Sequence, residues 1–64
     1  MFWITTCGKA GYKWHGHFHS FEEAAERLYG CFTGWKLINV NDLYAKIVKD
    51  TDENYVVATM QITI

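Results

Sequence analysis

Polar and apolar residues alternate along the stretch Tyr12–His19, YKWHGHFH. Tyr12, Trp14, Gly16 and Phe18 fall on one side, and Lys13, His15, His17 and His19 on the other. A period of two predicts a half-buried strand. Ahead of it, FWITT is β-branched and aromatic, which predicts another strand. GKAG between them has glycine at both ends and reads as the turn of a hairpin. Its geometry sets Cys7 beside Lys13.

The period then changes. In SFEEAAERLYGCF, Phe21, Ala24, Ala25, Leu28 and Phe32 fall on one helical stripe. Ser20 is a good N-cap, and Glu23 three residues on completes a capping box. Glu22, Glu23 and Glu26 put negative charge where the helix dipole favours it. Two glycines offer an end, Gly30 as a C′ residue or Gly34 after a longer helix.

WKLINV predicts a third strand, and NDLYAKIVKD a fourth after a bulge or turn at Asn41-Asp42. DTDEN is a turn cluster. YVVATMQITI alternates clearly: Val56, Ala58, Met60, Ile62 and Ile64 on one face, Tyr55, Val57, Thr59, Gln61 and Thr63 on the other. A loop at Thr51–Asn54 would set Asp50 opposite Tyr55, Ile47 opposite Ala58, Ala45 opposite Met60 and Leu43 opposite Ile62. Apolar then meets apolar along the whole pair, so the register is self-consistent.

The order is ββαβββ, or ββαββ if residues 35–49 form one bent strand. One helix has one apolar stripe and covers one face of one sheet. The expected fold is therefore α+β with two layers, one helix on an antiparallel sheet of four or five strands. Phe21, Leu28, Trp14, Phe18, Ala58, Met60 and Ile62 are the expected core. The second sheet face stays open and should carry Trp3, Thr5, Cys7, His15, His17, His19, Tyr44, Val48, Tyr55 and Val57.

Composition narrows the functions. The chain has 64 residues, enough for one domain over residues 1–64. A chain this short buries only about 60% of its unfolded surface. Half of it is hydrophobic and 17% aromatic, so it is no disordered tail. A formal charge of −1 gives neither the basic stripe of a nucleic-acid domain nor the strong acidity of a DNA mimic. No apolar run is long enough to span a membrane, and the first residues lack the pattern of a secretory signal. A cytoplasmic location with reduced thiols is the expectation. Met1 and the finished-looking end suggest a complete small gene product.

The histidines raise the question of metal. Residues i and i+2 of a strand project to the same side about 6.5–7 Å apart. Two imidazoles at that spacing can share a zinc ion at about 2.0–2.1 Å each. His15 with His17 satisfies this, and Cys7 on the neighbouring strand could add a third ligand. His15 and His19 lie about 13 Å apart, too far for all three histidines to share one ion. The plainer reading, which we prefer, is a solvent-facing side of a strand that happens to be histidine. No cofactor is expected.

Other chemistry is less well supplied. Cys7 near His15 resembles a nucleophile and base, but no Asn or Asp is placed to orient the imidazole. Cys31 reads as a small buried apolar residue. DTDEN imitates the start of a calcium loop, but Tyr55 and Gln61 stand where glycine and glutamate are needed. No glycine-rich phosphate loop is present. Trp3, Tyr44 and Tyr55 with Lys13 and Lys46 could form a stacking platform for single-stranded nucleic acid. Against this, the few cations are outnumbered by acids, and phosphate contacts supply most of such affinity.

The remaining reading is a small non-catalytic protein-binding module, a regulator or inhibitor of the kind made by phages and mobile elements. Aromatic-rich open sheet faces and free sheet edges are materials for protein contacts. The expected surface comprises Trp3, His15, His17, Tyr44, Tyr55 and Val57. The expected partner is another protein, or a second copy in a homodimer, ahead of nucleic acid, with no membrane involved. Single-stranded nucleic-acid binding or metal binding is the alternative.

Overall fold

The computed structural model describes residues 1–30 and 33–63. Its elements are β1 (Phe2–Gly8), β2 (Lys13–Phe18), α1 (Phe21–Tyr29), β3 (Trp35–Asn41), β4 (Tyr44–Lys49) and β5 (Asp52–Thr63). The five strands form one antiparallel sheet in the order β2-β1-β5-β4-β3. With α1 on one face, this is the two-layer α+β architecture in ββαβββ order. Residues 35–49 form two strands. Their turn is held by the Leu43 N–H donating to Asn41 Oδ1 at 2.8 Å, an Asx turn. Cys31, Phe32 and Ile64, assigned above to the core, the helix stripe and the last strand, lie outside the described residues.

The helix begins as its sequence dictates. The Glu23 N–H donates to Ser20 Oγ at 3.1 Å, and Glu23 Oε2 accepts from the His19 N–H. The helix ends at Tyr29 with Gly30 as cap, and Gly30 has right-handed backbone at φ −60°. The left-handed conformation expected of a C′ glycine appears instead at Gly34, with φ +88°. Trp35 Nε1 donates to the Tyr29 carbonyl at 2.7 Å and so satisfies an orphan group of the last turn.

The core lies between α1 and the sheet. Phe21, Ala24, Ala25 and Tyr29 of the helix meet Ile4, Ala45, Ile47, Ala58 and Met60. Small alanines on the helix let it sit close to the sheet. Fully burying an aliphatic side chain such as Ile4 or Ile47 contributes about 1.5–3 kcal/mol. Of the expected core, Phe21, Ala58 and Met60 are buried, while Phe18, Leu28 and Ile62 are half-buried and packed on it.

Trp14 is a correction, being 52% exposed. It sits on the inward-facing side of β2, but β2 is an edge strand and the helix is only nine residues long. The ring of Phe18 covers the neighbouring inward position, Gly16, leaving Trp14 at the rim against Tyr12. Tyr12 is also exposed, and its hydroxyl shares a hydrogen bond with Tyr29 at 2.9 Å. Burial holds the Tyr29 phenol well above its usual pKa, and the bond to Tyr12 adds to the shift.

Register follows expectation in the middle of the last hairpin and departs from it at the tip. Ile47 opposes Ala58, Ala45 opposes Met60, and the Ile62 N–H donates to the Leu43 carbonyl. At the tip, Asp50-Thr51 is the turn and Lys49 pairs with Asp52. The expected pairing of Asp50 with Tyr55 is replaced by bulges that set extra residues of β5 against Ile47–Lys49. Asp52 Oδ1 holds this tip by accepting from the Asn54 N–H.

Val48, assigned to the open face, is fully buried. Lys36 on one neighbouring strand and Val56 on the other flank it. Lys36 Nζ reaches Glu53 Oε1 at 3.2 Å on β5, so the lysine stem crosses above Val48.

Candidate binding surface

The register of β1 and β2 decides what stands together on the open face. Trp3 pairs with His17, Thr5 with His15, and Cys7 with Lys13. Side chains paired in this way project to the same side. Trp3 therefore packs against two imidazoles of β2. It stacks on His15 with planes 6° apart and centroids 5.7 Å apart, and meets the edge of His17 at 4.8 Å. Thr5 Oγ1 and His15 Nδ1 share a hydrogen bond of 3.1 Å, which fixes the imidazole from its other side. Trp3 remains 39% exposed. A large ring is thus held in one orientation while still meeting solvent.

The same face continues across the sheet. Thr63 and Gln61 of β5 lie beside Trp3 and Thr5, and Tyr44 of β4 lies beyond Gln61. Thr59, Lys46 and Ile38 extend the row of Cys7 and Lys13. Lys36 joins them from β3.

Charge is segregated between the layers. Lys13 and Lys46 stand on the open face together with Lys36, which is paired with Glu53, whereas Glu22, Glu23 and Glu26 belong with Arg27 to the helix on the other side. The weak overall charge conceals this separation. Glu22 is held below the usual carboxylate range by its own backbone N–H, with help from the Asn39 amide. Glu23 is held low chiefly by the His19 N–H.

The structure divides the residues nominated from the sequence. Trp3, His15 and His17 form one cluster, and Tyr44 is half-buried on the same face. Tyr55 lies elsewhere, with its ring between the ammonium groups of Lys9 and Lys49 at 3.9 and 4.4 Å. Val57 is half-buried, packs on the core cluster, and its carbonyl accepts from the Lys9 N–H. His19, expected on the open face, lies past the end of β2, with Nδ1 2.9 Å from Glu23 Oε2. The Glu23 carboxylate, which meets both its N–H and its ring, draws it to the helix.

The pairings bear on metal. The two histidines both rest on the indole of Trp3, and His15 Nδ1 is already engaged by Thr5. Cys7 is exposed and stands opposite Lys13. Among the described residues no group of three or more His, Cys, Asp or Glu is gathered for an ion.

Comparison with protein-family models, curated proteins and solved structures finds no match to this chain. The surface itself therefore carries the functional argument. The pairing of Trp3 with His17 was derivable from the sequence, since it follows from placing Cys7 beside Lys13. The pairing of Lys36 with Glu53 was not, because it depends on the bulged register of β5. No helix among the described residues is long and apolar enough to cross a membrane.

Proposed function

We propose that this chain is a small non-catalytic module that binds a partner protein through its open sheet face, acting as a regulator or inhibitor of that partner. The observation that supports this most strongly is the packing of Trp3 against His15 and His17. Large aromatic rings fixed before contact lose little entropy on binding and are frequent centres of protein interfaces. Thr5, Gln61 and Thr63 around it offer hydrogen bonds, and Lys13 and Lys46 favour an acidic partner surface.

Single-stranded nucleic acid is the second reading. It is favoured by the presence of Lys13 and Lys46 on the same face as Trp3 and Tyr44. The contact of His15 with one side of the indole counts against base stacking at Trp3. Capture from an extract of the source cells distinguishes the two readings. The parent protein should retain a protein after nuclease treatment, and Trp3→Ala should lose it. Retention that depends on intact nucleic acid would favour the second reading.

A further inference from the structure

β2 is an edge of the sheet, and among the described residues it pairs only with β1. The hydrogen-bond phase of that pairing fixes which backbone groups look outward. The Gly8 N–H donates to the Tyr12 carbonyl at 2.9 Å, so Gly8 and Tyr12 are a hydrogen-bonded pair. Such pairs alternate along an antiparallel ladder. The register runs without a shift from Cys7–Lys13 to Phe2–Phe18, so Trp14, Gly16 and Phe18 turn their backbone groups to β1. Lys13, His15 and His17 turn theirs away from the sheet. The Lys9 N–H donating to the Val57 carbonyl agrees, since it aims Trp3, Thr5 and Cys7 of β1 at β5.

Edges of this kind invite another strand, and proteins usually blunt them with proline, a bulge or charge. β2 has no proline and no register shift, and its one lysine, Lys13, sits at its start. The opposite edge, β3, carries a shift between Asn39 and Asn41. Beside the β2 edge, on the helix side, Tyr12 and Trp14 are 40% and 52% exposed. With Leu28 and Tyr29 they line a shallow hollow of about 240 Å³.

We propose that two copies of this chain pair antiparallel through β2, in the register that sets His15 of one opposite His15 of the other. The strand's own pattern argues for a second copy as the occupant. In this register Lys13 opposes the copy's His17, and the three outward residues exchange about six hydrogen bonds. On the helix side Tyr12 opposes the copy's Phe18, and Trp14 opposes its Gly16. A ring thus meets a ring, and the largest side chain meets the residue with none. Phe18 lies over Gly16 within each chain, so Trp14 of one copy lands on Phe18 of the other. Sliding by two residues either way keeps about four bonds within the strand and removes the match of Tyr12 with Phe18. The two-fold axis stands perpendicular to the sheet, so both helices lie on one side and both open faces on the other. Trp3 stays uncovered, and the dimer is independent of the partner surface proposed above. The contact is isologous and closes at two copies. One strand makes a narrow interface, so the dimer is weak and belongs at high protein concentration.

Sedimentation velocity over a concentration series tests the association, and disulfide trapping tests its register. The parent should shift from the sedimentation coefficient of one chain to that of two, and go no further. Trp14→Lys and His15→Pro should each stay at one chain. The first sets a charge in the aromatic row, and the second removes an outward donor that the β1 ladder does not use. Circular dichroism checks that each variant keeps the fold, and should both lose it, the trapping pattern decides. For trapping, cysteines are introduced singly after Cys7 and Cys31 are replaced by serine. His15→Cys should link to itself, because a hydrogen-bonded pair holds its Cα atoms about 5.5 Å apart, within disulfide reach. Lys13→Cys and His17→Cys should each fail alone and link when mixed. A parent that stays monomeric up to its solubility limit overturns the proposal. Assemblies beyond two chains overturn it too, as does a folded variant that associates like the parent. So does trapping that favours Lys13→Cys or His17→Cys alone over His15→Cys.

Discussion

Thr6 places a hydroxyl at a position that is 1% exposed, and Oγ1 finds no hydrogen-bond partner among the described residues. An unpaired buried polar group costs free energy that an apolar isostere avoids. Thr6→Val should therefore raise stability by about 1 kcal/mol, measured by urea unfolding. Met60 and Leu28 make a second comparison. Both were legible from the sequence as core residues, but only Met60 is fully buried. Met60→Ala should cost about 2–5 kcal/mol, and Leu28→Ala about 1–2 kcal/mol, because the half-buried site leaves a smaller cavity. Equal losses would mean that the helix lies deeper over Leu28 than the structure shows. Trp14 marks the limit of period-two reasoning. Alternation assigned its side of the strand, but exposure depended on how far a short helix reaches.

The helix is the element most fully written in the chain. Ser20 and Glu23 predicted its start; the bond of the Glu23 N–H to Ser20 Oγ is as expected, while Glu23 Oε2 accepts from the His19 N–H, one residue before the N-cap N–H that a capping box uses. Ser20→Ala should cost about 1 kcal/mol. Acid should loosen the same end. Glu23 has a folded pKa below its ordinary 4.5, so its stabilising contribution is full above about pH 4.5 and fades as the pH falls through the folded value. Helical signal followed by circular dichroism from pH 6 to 3 should fall less steeply in Glu23→Gln, which cannot titrate. The strands were legible in type and mostly in register. What failed was local: bulges at Ile47–Lys49 shift the register of β5, and alternation along a single strand does not report them.

At the scale of the molecule, the sheet has one covered face and one open face, and the open face carries Trp3 toward one end and Lys13 and Lys46 toward the other. Binding of an acidic partner should weaken with added salt, read by calorimetry, because salt screens Lys13 and Lys46. The most direct test is an amide chemical-shift map of this chain with the captured partner. The largest changes should fall on Trp3, Thr5, His15, His17, Gln61 and Thr63, with α1 little affected. Changes concentrated on Glu22, Glu26 and Arg27 of the helix, with the Trp3 cluster unmoved, would contradict the account.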